Sequence, residues 1–263
     1  MHPVLFEIGG FSLSTFGLMN MIGYLLAIFY LIHYREKIGI DKDTLWNMMF
    51  ISILAAMIGG KLFHLVVEVP WAEMGDTLTE KIKNVLSTFR YGFTFFGGFL
   101  TGITALIIYL KKKKLPIVKT GDFIILGIPL GHAIGRIGCF LVGCCYGKPW
   151  DGPWAVHFTD PHSLVPHHLH GVGLHPTQLY EVVGNFIIFA IMHFAYRRKH
   201  IDGAIISLYA LLYGTLRFIV EFFRADERGA GMLGLSPSQL VSIGIIVGAG
   251  VFYYIMRRRQ NAK

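Results

Sequence analysis

The sequence predicts an all-α polytopic membrane protein with seven transmembrane helices, the N-terminus outside and the C-terminus cytoplasmic. Three observations predict it. The 263 residues are 54% hydrophobic and 15% charged, too apolar and too poor in charge for an ordinary soluble domain. Apolar runs of about twenty residues recur, each long enough to cross a hydrocarbon core of roughly 30 Å. The lysines and arginines gather in short clusters that fall on every second connection.

The first run covers 13–34. The preceding "MHPVLFEIGGF" has no basic n-region and no small-residue cleavage site, so this span is expected to stay as an anchor. The other runs are 45–67, 93–110, 121–145, 178–196, 203–222 and 239–256. "HYREKIGIDKD" follows the first, "KKKK" (Lys111 to Lys114) the third, "YRRKH" the fifth and "RRRQNAK" the seventh. If seven spans alternate, these four segments share one side, which the positive-inside rule makes cytoplasmic. The net charge of +8 is then a topology signal, and nucleic acid is a poor explanation for it.

The chain reads as a single integral membrane domain, 1–263, with two periplasmic excursions. The arm at 68–92 places Leu78, Ile82, Val85, Leu86 and Phe89 at helical spacing beside Trp71, the pattern of an amphipathic helix in the headgroup layer. The loop at 146–177 is rich in histidine, but its irregular spacing favours a polar loop over a metal site. No internal repeat stands out, which counts against an inverted-repeat transporter.

Three spans carry side chains that a bilayer would reject. In the fourth, Gly127, Gly131 and Gly135 recur every four residues and leave a bare face for close helix packing. His132 and Arg136 have the same spacing, and Cys139, Gly143 and Cys144 continue the stripe. A charge at the centre of a membrane helix costs roughly 2.5–3.5 kcal/mol, so Arg136 either snorkels to the headgroups or faces an enclosed anion. The sixth span aligns Tyr213, Arg217, Glu221 and Arg224. The fifth opens with His175 and then Gln178, Glu181 and Asn185 on one face. The topology, fixed from the connections alone, puts three arginines and two glutamates at one depth. The glutamates can staple helices as ion-pair partners. The positive surplus, carried by planar guanidinium forks, suits a phosphate, and at that depth the obvious phosphate is a phospholipid head.

Cys139, Cys144 and Cys145 are the only cysteines. "CFLVGCC" lacks the spacing of a zinc ribbon or knuckle, so no metal is expected there, and buried packing is one account of them. A thiol redox centre is another.

The blocks "HAIGRIGCFLVGCCYG", "HPTQLYE", "YGTLRFIVEFFR", "LSPSQLVS", "STFGLMNMIGYLLAI" and "FTFFGGFLTG" together resemble the bacterial phosphatidylglycerol–prolipoprotein diacylglyceryl transferase family, in its order and over nearly the whole chain. The resemblance implies an inner-membrane enzyme that needs no cofactor. Such an enzyme moves the diacylglyceryl group of phosphatidylglycerol onto the lipobox cysteine of a prolipoprotein signal peptide, and glycerol phosphate leaves. It implies that Arg136 and Arg217 are the essential arginines and that Glu221 is the acidic residue one turn on. Gly147 is the glycine after the signature. It also places Gly97, Gly98, His132, Gln178, Tyr180, Glu181 and Arg224 in substrate-binding blocks, with His175, His132 and Glu221 as candidates for the base. Four positions depart from the family pattern: Phe16 for a tyrosine, Phe96 for a histidine, Cys139 for an asparagine and Cys144 for a glutamate. Those departures keep open a homologue that uses another acceptor or only binds phospholipid.

Overall fold

The computed structural model describes residues 3–8, 11–69, 77, 79–80, 83–84, 93–225 and 234–262. It opens with an antiparallel hairpin, β1 (Val4–Ile8) and β2 (Phe11–Ser14), which occupies the first residues of the expected first span. The helices follow: α1 (Thr15–Tyr34), α2 (Lys42–Phe63), α3 (Phe95–Lys112), α4 (Ile117–Ile124) and α5 (Gly127–Val142). After a long loop come α6 (Thr177–Tyr196), α7 (Ala204–Glu221) and α8 (Pro237–Asn261). Among the described residues, six helical segments are long and apolar enough to cross a membrane: Thr15–Ile38, Lys42–Val67, Ile117–Val142, Thr177–Tyr196, Ala204–Glu221 and Pro237–Asn261. The remaining expected span, 93–110, overlaps the 18 residues of α3, which is not among those six. Most of the proposed amphipathic arm, including Trp71, Leu78, Ile82, Val85, Leu86 and Phe89, lies outside the described residues.

The chain forms two compact units, Met1–Tyr34 with Val118–Lys263, and Arg35–Ile117. In the second unit, α2 is capped by the Asp41 carboxylate, which accepts from the Thr44 N–H at 2.8 Å. Helix α3 approaches α2 through small residues. A Cβ on Gly97 would lie 2.8 Å from the Gly59 carbonyl oxygen, and one on Gly98 would lie 2.9 Å from that of Ala56. Gly97 and Gly98 are therefore buried by this helix pair, while Phe96 on the same helix is exposed.

In the first unit, the glycine stripe does what bare faces allow. Gly131 meets Gly23 of α1 backbone to backbone: a Cβ on Gly23 would sit 2.7 Å from the Gly131 oxygen. Gly127 faces Ala27 and Leu31, Gly135 faces the Asn20 amide, and Gly138 faces Met19 and the backbone of Phe16. Pro129 accounts for the break between α4 and α5, because it has no N–H to offer the Ile125 carbonyl and its ring crowds that group. At the other end of the same segment, the buried Asp122 carboxylate accepts from the Gly203 and Ile206 N–H groups at 2.6 and 2.9 Å and so caps α7.

Two helices end earlier than the sequence suggested. The fourth span is expected to reach residue 145, but α5 stops at Val142 because Gly143 takes a left-handed conformation, φ 79°. Cys144 and Cys145 are therefore off the helix. The sixth span's stripe likewise stops at Glu221, with Phe222 as its C-cap, so Arg224 lies beyond the helix and does not continue its face.

The loop 146–177 carries its own small core. Strands β3 (Val156–His157) and β4 (Gly173–Leu174) pair antiparallel beside buried Phe158, Val165 and Leu174. Its histidines point to several different partners: His162 sits on Asp160 and His170 on the Val165 carbonyl.

Candidate functional site

Helix ends build the site. The middle of α5 brings His132 and Arg136, the first turns of α6 bring Gln178, Glu181 and Asn185, the end of α7 brings Arg217 and Glu221, and the start of α8 brings Ser236 and Ser238. All of these elements belong to the first unit.

Glu181 is the hub. Its carboxylate lies 2.7 Å from Arg136 Nε and 3.2 Å from Arg224 Nη1, and its side chain is 1% exposed. Arg224 reaches it because the chain turns after α7 and pairs with Gly147 in a short backbone bridge. His132 Nε2 accepts from Arg136 Nε at 3.1 Å, which leaves the His132 ring proton on Nδ1. With Nε committed, Arg136 keeps its Nη edge, whose Nη1 lies 4.0 Å from Cys139 Sγ.

A second ion pair lies alongside. Arg217 Nη2 sits 2.5 Å from Glu221 Oε2 and donates to Ser238 Oγ at 3.1 Å. Ser236, the N-cap of α8, donates its hydroxyl to Glu221 Oε1 at 2.8 Å. The two pairs are joined through two rings: those of His132 and Tyr213 lie 5.4 Å apart, and Tyr213 stands one turn before Arg217 on α7. Three arginines and two glutamates thus share a largely buried place. The arrangement can hold an anion.

It can also accept hydrogen bonds. Gln178 and Asn185 are fully buried, and each spends its NH2 on a carbonyl, that of Cys144 and that of Glu181 respectively, both at 2.8 Å. Their amide oxygens meet no hydrogen-bond donor among the described residues. Buried acceptors of this kind are costly unless something donates to them.

His175, Tyr180 and Gly147 form a neighbouring group. Trp150 stacks on the His175 ring at 4.4 Å, the Tyr180 hydroxyl lies 2.9 Å from His175 Nδ1, and Trp154 Nε1 donates to that same hydroxyl at 2.8 Å. Burial, helped by the nearby Lys148 charge, holds His175 below the ordinary imidazole range. Gly147 is needed for close approach: a Cβ there would lie 2.5 Å from that of His175 and 2.8 Å from the Phe223 oxygen. Phe16, in α1, is an exposed apolar side chain.

The cysteine sulfurs converge although their spacing follows no metal motif. Gly143 turns the chain, Cys145 itself adopts φ 61°, and the three Sγ atoms come within 4.8 Å of one another. All three are free thiols.

Ser236, Ser238 and Asn185 are the residues that sequence reasoning left out of the site. Asn185 shared a face with Gln178 and Glu181. The serines read only as part of a family block, because a Ser-Pro-Ser-Gln run is a helix start before it is anything else.

The chain matches the family model "Prolipoprotein diacylglyceryl transferase" over residues 3–255. It is 35% identical over 261 residues to a phosphatidylglycerol–prolipoprotein diacylglyceryl transferase of Clostridium tetani, covering 99% of this chain and 100% of that one. It is 31% identical to the one of Finegoldia magna, with 100% and 98% covered. With a transferase numbered 2 in Clostridium perfringens it shares 30% identity over the same shares of each chain.

Proposed function

The chain belongs to the prolipoprotein diacylglyceryl transferase family, and from that premise we propose that the arginine cluster binds the phosphate of phosphatidylglycerol while its diacylglyceryl group passes to a lipobox cysteine thiol. One observation carries the reading at the level of residues: Arg136, Arg217 and Arg224 are gathered with Glu181 and Glu221 in one largely buried place, a concentration of guanidinium forks that suits a lipid phosphate.

In this reading the acceptor thiolate attacks the glyceryl carbon that carries the phosphate. The carbon–oxygen bond breaks, and glycerol phosphate leaves with the electron pair. Negative charge grows on the leaving phosphate. Guanidiniums already fixed by Glu181, Glu221 and Ser238 stabilise that charge without reorganising. The amide oxygens of Gln178 and Asn185 offer acceptors for the hydroxyls of the glycerol head. Glu181 and Glu221 position the arginines. Because His132 Nε2 is already engaged by Arg136 and Glu221 by Arg217 and Ser236, His175 is the better candidate for the base, held neutral as that task requires. A free cysteine has a pKa of about 8.5, so a thiolate drawn to the same positive cluster needs only modest help.

The topology that fits has seven spans, with α3 among them and the N-terminus outside. It puts the cluster in the outer leaflet of the bacterial inner membrane. The test is transfer from phosphatidylglycerol vesicles to a synthetic lipobox peptide, read as the mass gain of the peptide. Arg136→Ala and Arg217→Ala should each lower the rate by at least about 10²–10³-fold, the scale of losing one preorganised charge donor. Normal transfer in both variants would refute the assignment.

A further inference from the structure

The three cysteines are a cluster that the transferase reading does not use. We infer that Cys139, Cys144 and Cys145 form a three-thiolate site for a soft divalent cation of the zinc class.

The first argument is placement. A zinc–sulfur bond is about 2.3 Å, so a trigonal three-sulfur site holds its sulfurs about 4 Å apart. Here they lie within 4.8 Å, which leaves only a small contraction. Among the described residues, no other group of three Cys, His, Asp or Glu side chains comes together in this way.

The second argument is that the placement is held. The Cys139 carbonyl accepts from both the Gly143 and Cys144 N–H groups. The Cys144 carbonyl accepts from Gln178 Nε2 at 2.8 Å, and the Cys145 carbonyl from Thr177 Oγ1 at 2.7 Å. Cys145 also keeps a left-handed backbone, φ 61°, which a residue other than glycine seldom adopts. Fixed carbonyls on all three residues mean that the thiols need no rearrangement of the main chain to converge.

The third argument is charge. Ligation follows M²⁺ + 3 RSH → [M(SR)₃]⁻ + 3 H⁺, and the product carries one negative charge. Beside it stands Arg136, whose guanidinium is held by the Glu181 carboxylate at 2.7 Å. Arg136 Nη1 is 4.0 Å from Cys139 Sγ. A guanidinium beside the sulfurs suits an anionic metal thiolate. Three protein ligands leave a fourth position open to an outside donor. Unlike a redox centre, ligation requires no electron partner.

The test uses the whole chain purified in detergent, reduced and stripped of metal, then titrated with cadmium chloride. Thiolate-to-cadmium charge-transfer absorbance should saturate at one ion per chain, with about three protons released per ion. One equivalent of cadmium should shield all three cysteines from alkylation, as read by peptide mass spectrometry. Zinc chloride should give the same shielding. Cys139→Ala should weaken cadmium binding by about 100-fold or more. Absorbance that fails to saturate at one equivalent, or alkylation of any of the three cysteines that cadmium leaves unchanged, would overturn the site. The shielding is read on the unaltered chain, so a poorly folded variant cannot mimic either result. Lipid transfer is not measured, so this inference stands or falls separately from the proposed function.

Discussion

Glu181→Gln tests the electrostatic design directly. The wild-type carboxylate lies 2.7 Å from Arg136 and 3.2 Å from Arg224, and these side chains are 1%, 15% and 2% exposed in that order. Removing one partner of a buried ion pair costs about 3–5 kcal/mol, because the other charge stays desolvated. Glutamine keeps an acceptor of similar shape and Arg136 retains some access to solvent, so the low end applies, about 3 kcal/mol. For a chain of this size each 1 kcal/mol moves Tm by roughly 2–4 °C, so the expected fall is roughly 6–12 °C. The substitution also removes one negative charge from the cluster. Inorganic phosphate should therefore raise the Tm of the variant more than that of wild type, since a ligand that binds the folded state stabilises it, at ligand concentration L, by RT ln(1 + L/Kd), which grows as Kd falls. The assay is thermal unfolding in detergent, followed by tryptophan fluorescence with and without phosphate. A variant with an unchanged Tm and the wild-type phosphate response would refute the idea that Glu181 neutralises two arginines.

Gly147→Ala should lower stability by about 1–3 kcal/mol, because its Cβ would press on His175 and on the Phe223 carbonyl; an unchanged melting temperature would contradict the close contact. Ser236→Ala removes both the α8 cap and a hydrogen bond to a charged carboxylate, and should cost about 2 kcal/mol or more, measured in the same way. His175 is held below its ordinary range, so its contribution to stability is complete above about pH 6.5 and fades as pH falls through its lowered value. Fluorescence of the stacked Trp150 should titrate with a midpoint below about pH 6.5, and a midpoint above it would contradict that environment.

The parts of the site set by helical period were legible in the sequence. Arg217 and Glu221 are four apart on α7 and do pair, and the glycines of α5 do admit α1. The parts set by where helices stop were not. Arg224 aligns with Arg217 only if α7 continues; in fact the helix ends at Glu221, and the turn sends Arg224 to Glu181 instead. The same holds for the cysteines. Their convergence depends on the left-handed Gly143 and Cys145, and a count of residues between sulfurs cannot register a reversal of the chain. The Pro129 break was missed because apolar composition runs straight through it.

The contact between α1 and α5 makes one helix a ruler for the other. Gly135 rests on Asn20 and Gly138 on Met19, with Arg136 between those two glycines. Neither glycine offers a side chain to give way at these two contacts, so a single added methyl group there would be passed on as a shift of the guanidinium. A misplacement of about 1 Å can cost about 10²-fold in rate. Sequence drift along α1, a helix without a single lysine, arginine, aspartate or glutamate, would thus be felt first in how well Arg136 meets its anion.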